Sequence, residues 1–166
     1  MPLNPVFDGH SRAMSWLDQF RKPKPVLEDP VFGPLTRDQR NGCWDGSVPF
    51  GPEGHSLLLT IYGELPTDAQ RESLREFGHR YPDLGPAIAS ELFSLYAPYL
   101  EEPMKGMPTP ATPAEMWGMV ELGGVDLGPD GSVVAAYGFR VGLGWDDAMF
   151  EVAFEGWTPV GKSLGD

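Results

Sequence analysis

Cysteine occurs once in this 166-residue chain, at Cys43, and histidine only three times. A single thiol allows no intrachain disulfide, so a core alone must hold the fold, and such usage suits a reducing compartment. Cys43 has no histidine neighbour in sequence to activate it and reads as a small apolar filler beside Trp44. His10, His55 and His79 lie far apart, with neither H-x-x-x-H nor C-x-x-C spacing, which excludes a recognisable zinc site. Ser47, Ser56 and Ser132 lack the G-x-S-x-G setting of a hydrolase nucleophile. No window approaches the ~20 apolar residues needed to cross a bilayer. The start, Met1-Pro2-Leu3-Asn4-Pro5, does not pair a positive segment with an apolar run. The expectation is a cytoplasmic protein without membrane association.

Basic residues are also scarce. Twelve Lys and Arg stand against 24 Asp and Glu, for a net charge of −12. The imbalance is uneven along the chain. Residues 101–166 hold Lys105, Arg140 and Lys162 against eleven acids, whereas residues 1–27 hold Arg12, Arg21, Lys22 and Lys24 against Asp8 and Asp18. A negative field repels phosphate backbones and anionic lipids and draws cationic partners inward. Nucleic acid is therefore disfavoured, and a basic protein is the expected partner.

What the chain does have is enough apolar material, 41%, for one core, and 21 glycines and 18 prolines spread as turn signals. Residues 1–27 read as an appendage: Ser11 caps a short helix with Ala13, Trp16, Leu17 and Phe20 on one face, and Lys22-Pro23-Lys24-Pro25 forms a stiff linker. Residues 28–166 read as a single α+β domain. Strands are predicted at Val31–Thr36, Cys43–Val48 and Leu57–Gly63. Thr67-Asp68-Ala69-Gln70 is a capping box that opens a helix with Leu74, Phe77 and Tyr81 on one face, ending near Pro82. Pro86 suits the first turn of a second helix carrying Ile88, Leu92, Leu95, Tyr96 and Tyr99. Strands at Met119–Leu127, Ser132–Arg140 and Met149–Glu155 follow. The order β-β-β-α-α-β-β-β predicts an antiparallel sheet of about six strands with a helical hairpin inserted midway.

Several motifs invite chemistry. Gly156-Trp157-Thr158-Pro159-Val160-Gly161-Lys162-Ser163 spells the phosphate-loop string, but too few residues follow it for the helix that would hold the phosphates. The stretch from Asp126 to Gly131 approaches a calcium loop, yet Tyr137 stands where the bidentate acid belongs, so a plain turn is expected. Trp145, Asp146 and Asp147, with Glu151, Glu155 and Trp157 beyond them, form the densest acidic and aromatic feature. In an extended segment Glu151 and Glu155 fall on one face and Phe150, Val152 and Phe154 on the other. Aromatic anchors in a charged rim concentrate binding energy, so these six residues are the candidate binding site. No catalytic residue, metal ligand or cofactor site is assigned.

Phe32-Gly33-Pro34-Leu35, Trp44-Asp45-Gly46, the capped helix pair and Ala114-Glu115-Met116-Trp117, with strands ending at Phe150–Phe154, together resemble a family of uncharacterised bacterial α+β domains of the immunity-protein-like type. The resemblance covers about residues 29–155, carries over no catalytic residue, and implies a protein from toxin–immunity gene neighbourhoods. The leading expectation is a non-enzymatic, acidic binding protein, an immunity-type inhibitor of a basic bacterial effector. The alternatives are a small carboxylate-dependent or metal-assisted enzyme using Asp146, Asp147 and Glu151, and a structural or oligomerisation module.

Overall fold

The structure, a computed structural model, describes residues 24–103, 105–140 and 149–165. Eight strands form one sheet in sequence order: β1 (Val26–Asp29), β2 (Gly33–Asp38), β3 (Cys43–Phe50), β4 (His55–Tyr62), β5 (Val120–Leu127), β6 (Val133–Phe139), β7 (Met149–Glu155) and β8 (Thr158–Gly165). All neighbours pair antiparallel except β4 and β5, which run parallel with Leu59 opposite Val125. A parallel pair needs a crossover. Two helices supply it, α1 (Asp68–Leu100) and the short α2 (Pro113–Met119).

This corrects the expected architecture on three points. The sheet has eight strands instead of six, because β1 and β8 add an edge on each side. It is mixed instead of antiparallel. The helical hairpin is one continuous helix of 33 residues that runs through Pro82, Pro86 and Pro98. Each proline removes the N–H that would bond the carbonyl four residues back, those of Gly78, Pro82 and Ser94. All three of those residues are exposed, so water can take up the freed carbonyls and the helix continues. His79, expected near a helix end, consequently sits inside α1 and is exposed.

The capping box forms as predicted: Gln70 N donates to the Thr67 hydroxyl and Thr67 N donates to Gln70 Oε1. Gln70, fully buried, also donates through Nε2 to Tyr62 O at 2.8 Å and Leu127 O at 3.0 Å. One side chain thus ties the helix start to the ends of both parallel strands. Beside it Arg71 bonds Asp29, whose carboxylate also accepts from the N–H groups of Val31 and Phe32. Further along, α1 closes on β8. Gly161 N donates to Glu91 Oε2 at 2.9 Å, and a Cβ at Gly161 would stand 3.0 Å from Leu95 Cγ, so glycine permits the approach.

The core fills the space between α1 and one face of the sheet. Leu57, Leu59 and Ile61 of β4, Val125 and Leu127 of β5, Ala135, Tyr137 and Phe139 of β6, and Phe150 and Val152 of β7 point into it. From the helix side come Phe77, Ile88, Leu92 and Tyr96. Among the described residues no element covers the other face of the sheet, and no helix is long and apolar enough to cross a membrane.

Candidate functional site

Strand alternation decides what the uncovered face carries. Since Leu57, Leu59 and Ile61 point inward, Leu58, Thr60 and Tyr62 point outward. Register then extends the rows across the sheet. Thr36, Asp45, Thr60, Asp126, Val134, Ala153 and Val160 follow one another from β2 to β8. The adjacent row runs Ser47, Leu58, Gly124, Ala136, Glu151 and Ser163.

Two properties distinguish this face. Seven large hydrophobic residues are prominently exposed among the described residues, and five of them, Val26, Leu58, Tyr62, Met149 and Val160, alternate onto it. Acids stand between them: Asp45, Asp126 and Glu151. Asp126 is central and half-buried, and its carboxyl titrates above the usual aspartate range. Burial is the main cause. Glu151 and Asp45 add to it, while a hydrogen bond from Thr60 and the charge of Lys162 oppose it. Tyr62 beside them is also raised, first by burial and then by the field of Asp126. Glu151 is partly balanced, accepting from the Ser163 hydroxyl at 2.9 Å with Lys162 Nζ at 3.3 Å. Lys162 and Ser163 of the phosphate-loop string are thus strand residues, and Gly156 and Trp157 form the preceding turn with φ of 55° and 67°. That is the wrong local structure for holding phosphates.

Asp38, Cys43 and Asp45 bring one ligand atom each within 4.8 Å of one another at the β2–β3 end of the face. These are the residues that could hold a cation there, although burial and the neighbouring acids keep the Cys43 thiol protonated more firmly than usual.

Of the six residues singled out from sequence, Trp145, Asp146 and Asp147 lie outside the described residues. Glu151 and Glu155 alternate onto the uncovered face, as the parity of β7 predicts. Trp157 does not join them. Its ring stacks on Phe77 at 6.4 Å and lies under the Arg80 guanidinium at 5.6 Å, on the helix side. The site therefore divides, and the acids find different companions. Asp45, Leu58, Tyr62 and Asp126 were not anticipated. The available signal was an aspartate between Val125 and Leu127 in a strand otherwise free of charge at its centre. The outward position of Leu58 was hidden by the unbroken run Leu57-Leu58-Leu59.

This arrangement is an amphipathic face of a sheet that no element covers among the described residues. Comparison with protein-family models, curated proteins and solved structures gave no match for the chain.

Proposed function

We propose that this protein is a non-enzymatic binding protein that captures a basic protein on the uncovered face of its sheet, acting as an immunity-type inhibitor of a cationic bacterial effector. The observation that carries this reading is the mixture of exposed Leu58, Tyr62, Met149 and Val160 with the half-buried, high-pKa Asp126. Apolar anchors supply area, and a carboxylate that bears its charge at a free-energy penalty gains from an incoming lysine or arginine. The net charge of −12 speeds capture of a cationic partner at low salt.

The test is affinity capture from the source host with the full chain immobilised, at low and at moderate salt, beside Leu58→Lys. Leu58 is 64% exposed, so its replacement leaves the core untouched. The expected outcome is a basic protein retained by the wild type, retained less at moderate salt, and lost at least tenfold by Leu58→Lys. Retention indifferent to Leu58→Lys, or no partner at either salt, contradicts the reading.

A further inference from the structure

The β1–β4 half of the uncovered face combines exposed apolar side chains with unmatched negative charge. Leu35 and Ile61 point into the core, so alternation and register turn Val26, Thr36, Asp38, Asp45, Leu58 and Tyr62 outward. Glu28, opposite Pro34, joins them. The outward residues of these four strands therefore include three acids and no cation. Among the described residues none of the three acids forms an ion pair.

The chain enters at the rim of this half. Arg37 N donates to Pro25 O at 2.9 Å, which carries the β1–β2 ladder one residue beyond Val26. Continued once more, that register sets Lys24 opposite Asp38. The Asp38 carboxyl is held below the usual aspartate range first by a hydrogen bond from Arg40 N, then by Asn41, and last by the charge of Lys24. What precedes Lys24 matches the face in charge and in apolarity. Residues 19–24 carry Arg21, Lys22 and Lys24 and no acid, in a chain with only twelve basic residues. Upstream, Ala13, Trp16, Leu17 and Phe20 recur at helical spacing. Reach is sufficient: β4 lies roughly 14 Å from β1 across three strand spacings, and extended chain spans about 3.3–3.6 Å per residue.

Other covers fit less well. Residues 141–148, which link β6 to β7, bring Asp146 and Asp147 to an already acidic surface. A second copy of the face would set acids against acids.

We infer that residues 1–23, which lie outside the described residues, cover the β1–β4 half of this face in cis, with Arg21 and Lys22 meeting Asp38 and Asp45 and with Trp16, Leu17 and Phe20 packing on Leu58 and Tyr62. Those two cations stay near β2 and β3, which leaves Asp126 on β5 for a partner. The contact uses the same face as the proposed capture but needs no partner to form. A basic protein that reaches Leu58 must displace the segment, so the chain's own cover sets a threshold for capture, a consequence that rests on the reading above.

The test is paramagnetic relaxation by NMR on the methyl-labelled full chain, with Cys43→Ala and a nitroxide on Ser15→Cys. The methyl spectrum reports whether the fold survives Cys43→Ala; if it does not, Cys43 is kept, since its buried thiol resists the label. The expected result is that the Leu58 methyl signals lose at least half of their intensity relative to the reduced label, while those of Ile88 in α1, on the other side of the sheet, keep nearly all. Arg21→Glu with Lys22→Glu restores the Leu58 signals. Equal broadening of Leu58 and Ile88, no broadening of Leu58, or broadening indifferent to the charge reversal overturns the inference. So does Leu58 broadening when nitroxide-bearing unlabelled chain is mixed with methyl-labelled chain lacking the nitroxide, because the segment would then come from a second copy. No reading involves a partner, so the affinity capture can fail while the cover stands, and the cover can fail while the capture stands.

Discussion

Asp29 and Asp126 are both aspartates on strands of one sheet, yet their environments push them in opposite directions. Burial alone would raise Asp29, but hydrogen bonds from Arg71, Val31 and Phe32 and the charge of Arg71 more than compensate, and its pKa falls below the usual value. A depressed carboxylate stabilises the fold fully above its unfolded pKa of about 3.9, and that contribution disappears as pH falls through the folded value. Asp29→Asn is therefore expected to cost about 2–3 kcal/mol at pH 7, the range for opening a largely buried ion pair. Urea unfolding of both forms at pH 7 and near pH 3 measures this, and the difference should shrink at the lower pH. Asp126 has the opposite sign. Its raised pKa means that the folded protein binds this proton more tightly than the unfolded chain does. Its charge therefore opposes folding above the raised pKa, and the penalty fades as pH falls through that value. A cationic group brought to it would relieve that penalty. Sequence reading could place Asp126 in a strand but could not see its burial or its approach to Glu151 and Asp45. The parity of Glu151 and Glu155 was legible because Phe150 and Val152 alternate with them.

Elements were legible where one local rule dominated. The capping box at Thr67 fixed the start of α1, and turn residues located β3 to β7 to within a few positions. Where two rules competed, the weaker local signal prevailed in the fold. Proline at 82 and 86 is a helix terminator by propensity, but the apolar stripe from Leu74 through Tyr96 buries against the sheet on both sides of it. The orientation of the freed carbonyls toward water, which makes the passage tolerable, is a tertiary fact. β8 was obscured because Pro159, Gly161 and the phosphate-loop letters look unlike a strand. It is an edge strand, where proline is admitted. The parallel join of β4 to β5 is likewise not local. Short turns reveal hairpins, whereas the long helical connection between these strands leaves their relative direction open. Gln70 is the residue that joins the pieces. Replacing it with Leu is expected to cost about 2–4 kcal/mol, since it removes half of the capping box and leaves two buried carbonyls short of a donor. Thermal or urea unfolding checks this, and a change below about 0.5 kcal/mol would show that the side chain is not the link between α1 and the parallel pair.

At the scale of the molecule, one sheet separates two surfaces of different chemistry. The helix side holds the core. The other side holds acids and exposed apolar residues in register across the strands. Net charge alone predicted attraction to a cationic partner but could not say which surface receives it, because the 24 acids are spread along the whole chain. The fold gathers Asp45 from β3, Asp126 from β5 and Glu151 from β7, residues distant in sequence, onto one surface. The account rests on Asp126 carrying a charge there that Thr60 and Lys162 relieve only in part. The direct measurement is its carboxyl titration by carbon-detected NMR in the full chain, alone and with a lysine- and arginine-rich peptide. The account predicts a pKa above the ordinary value of about 3.9 for the free protein, falling when the peptide is added. An Asp126 that titrates at or below the ordinary value and does not respond to the peptide would contradict it.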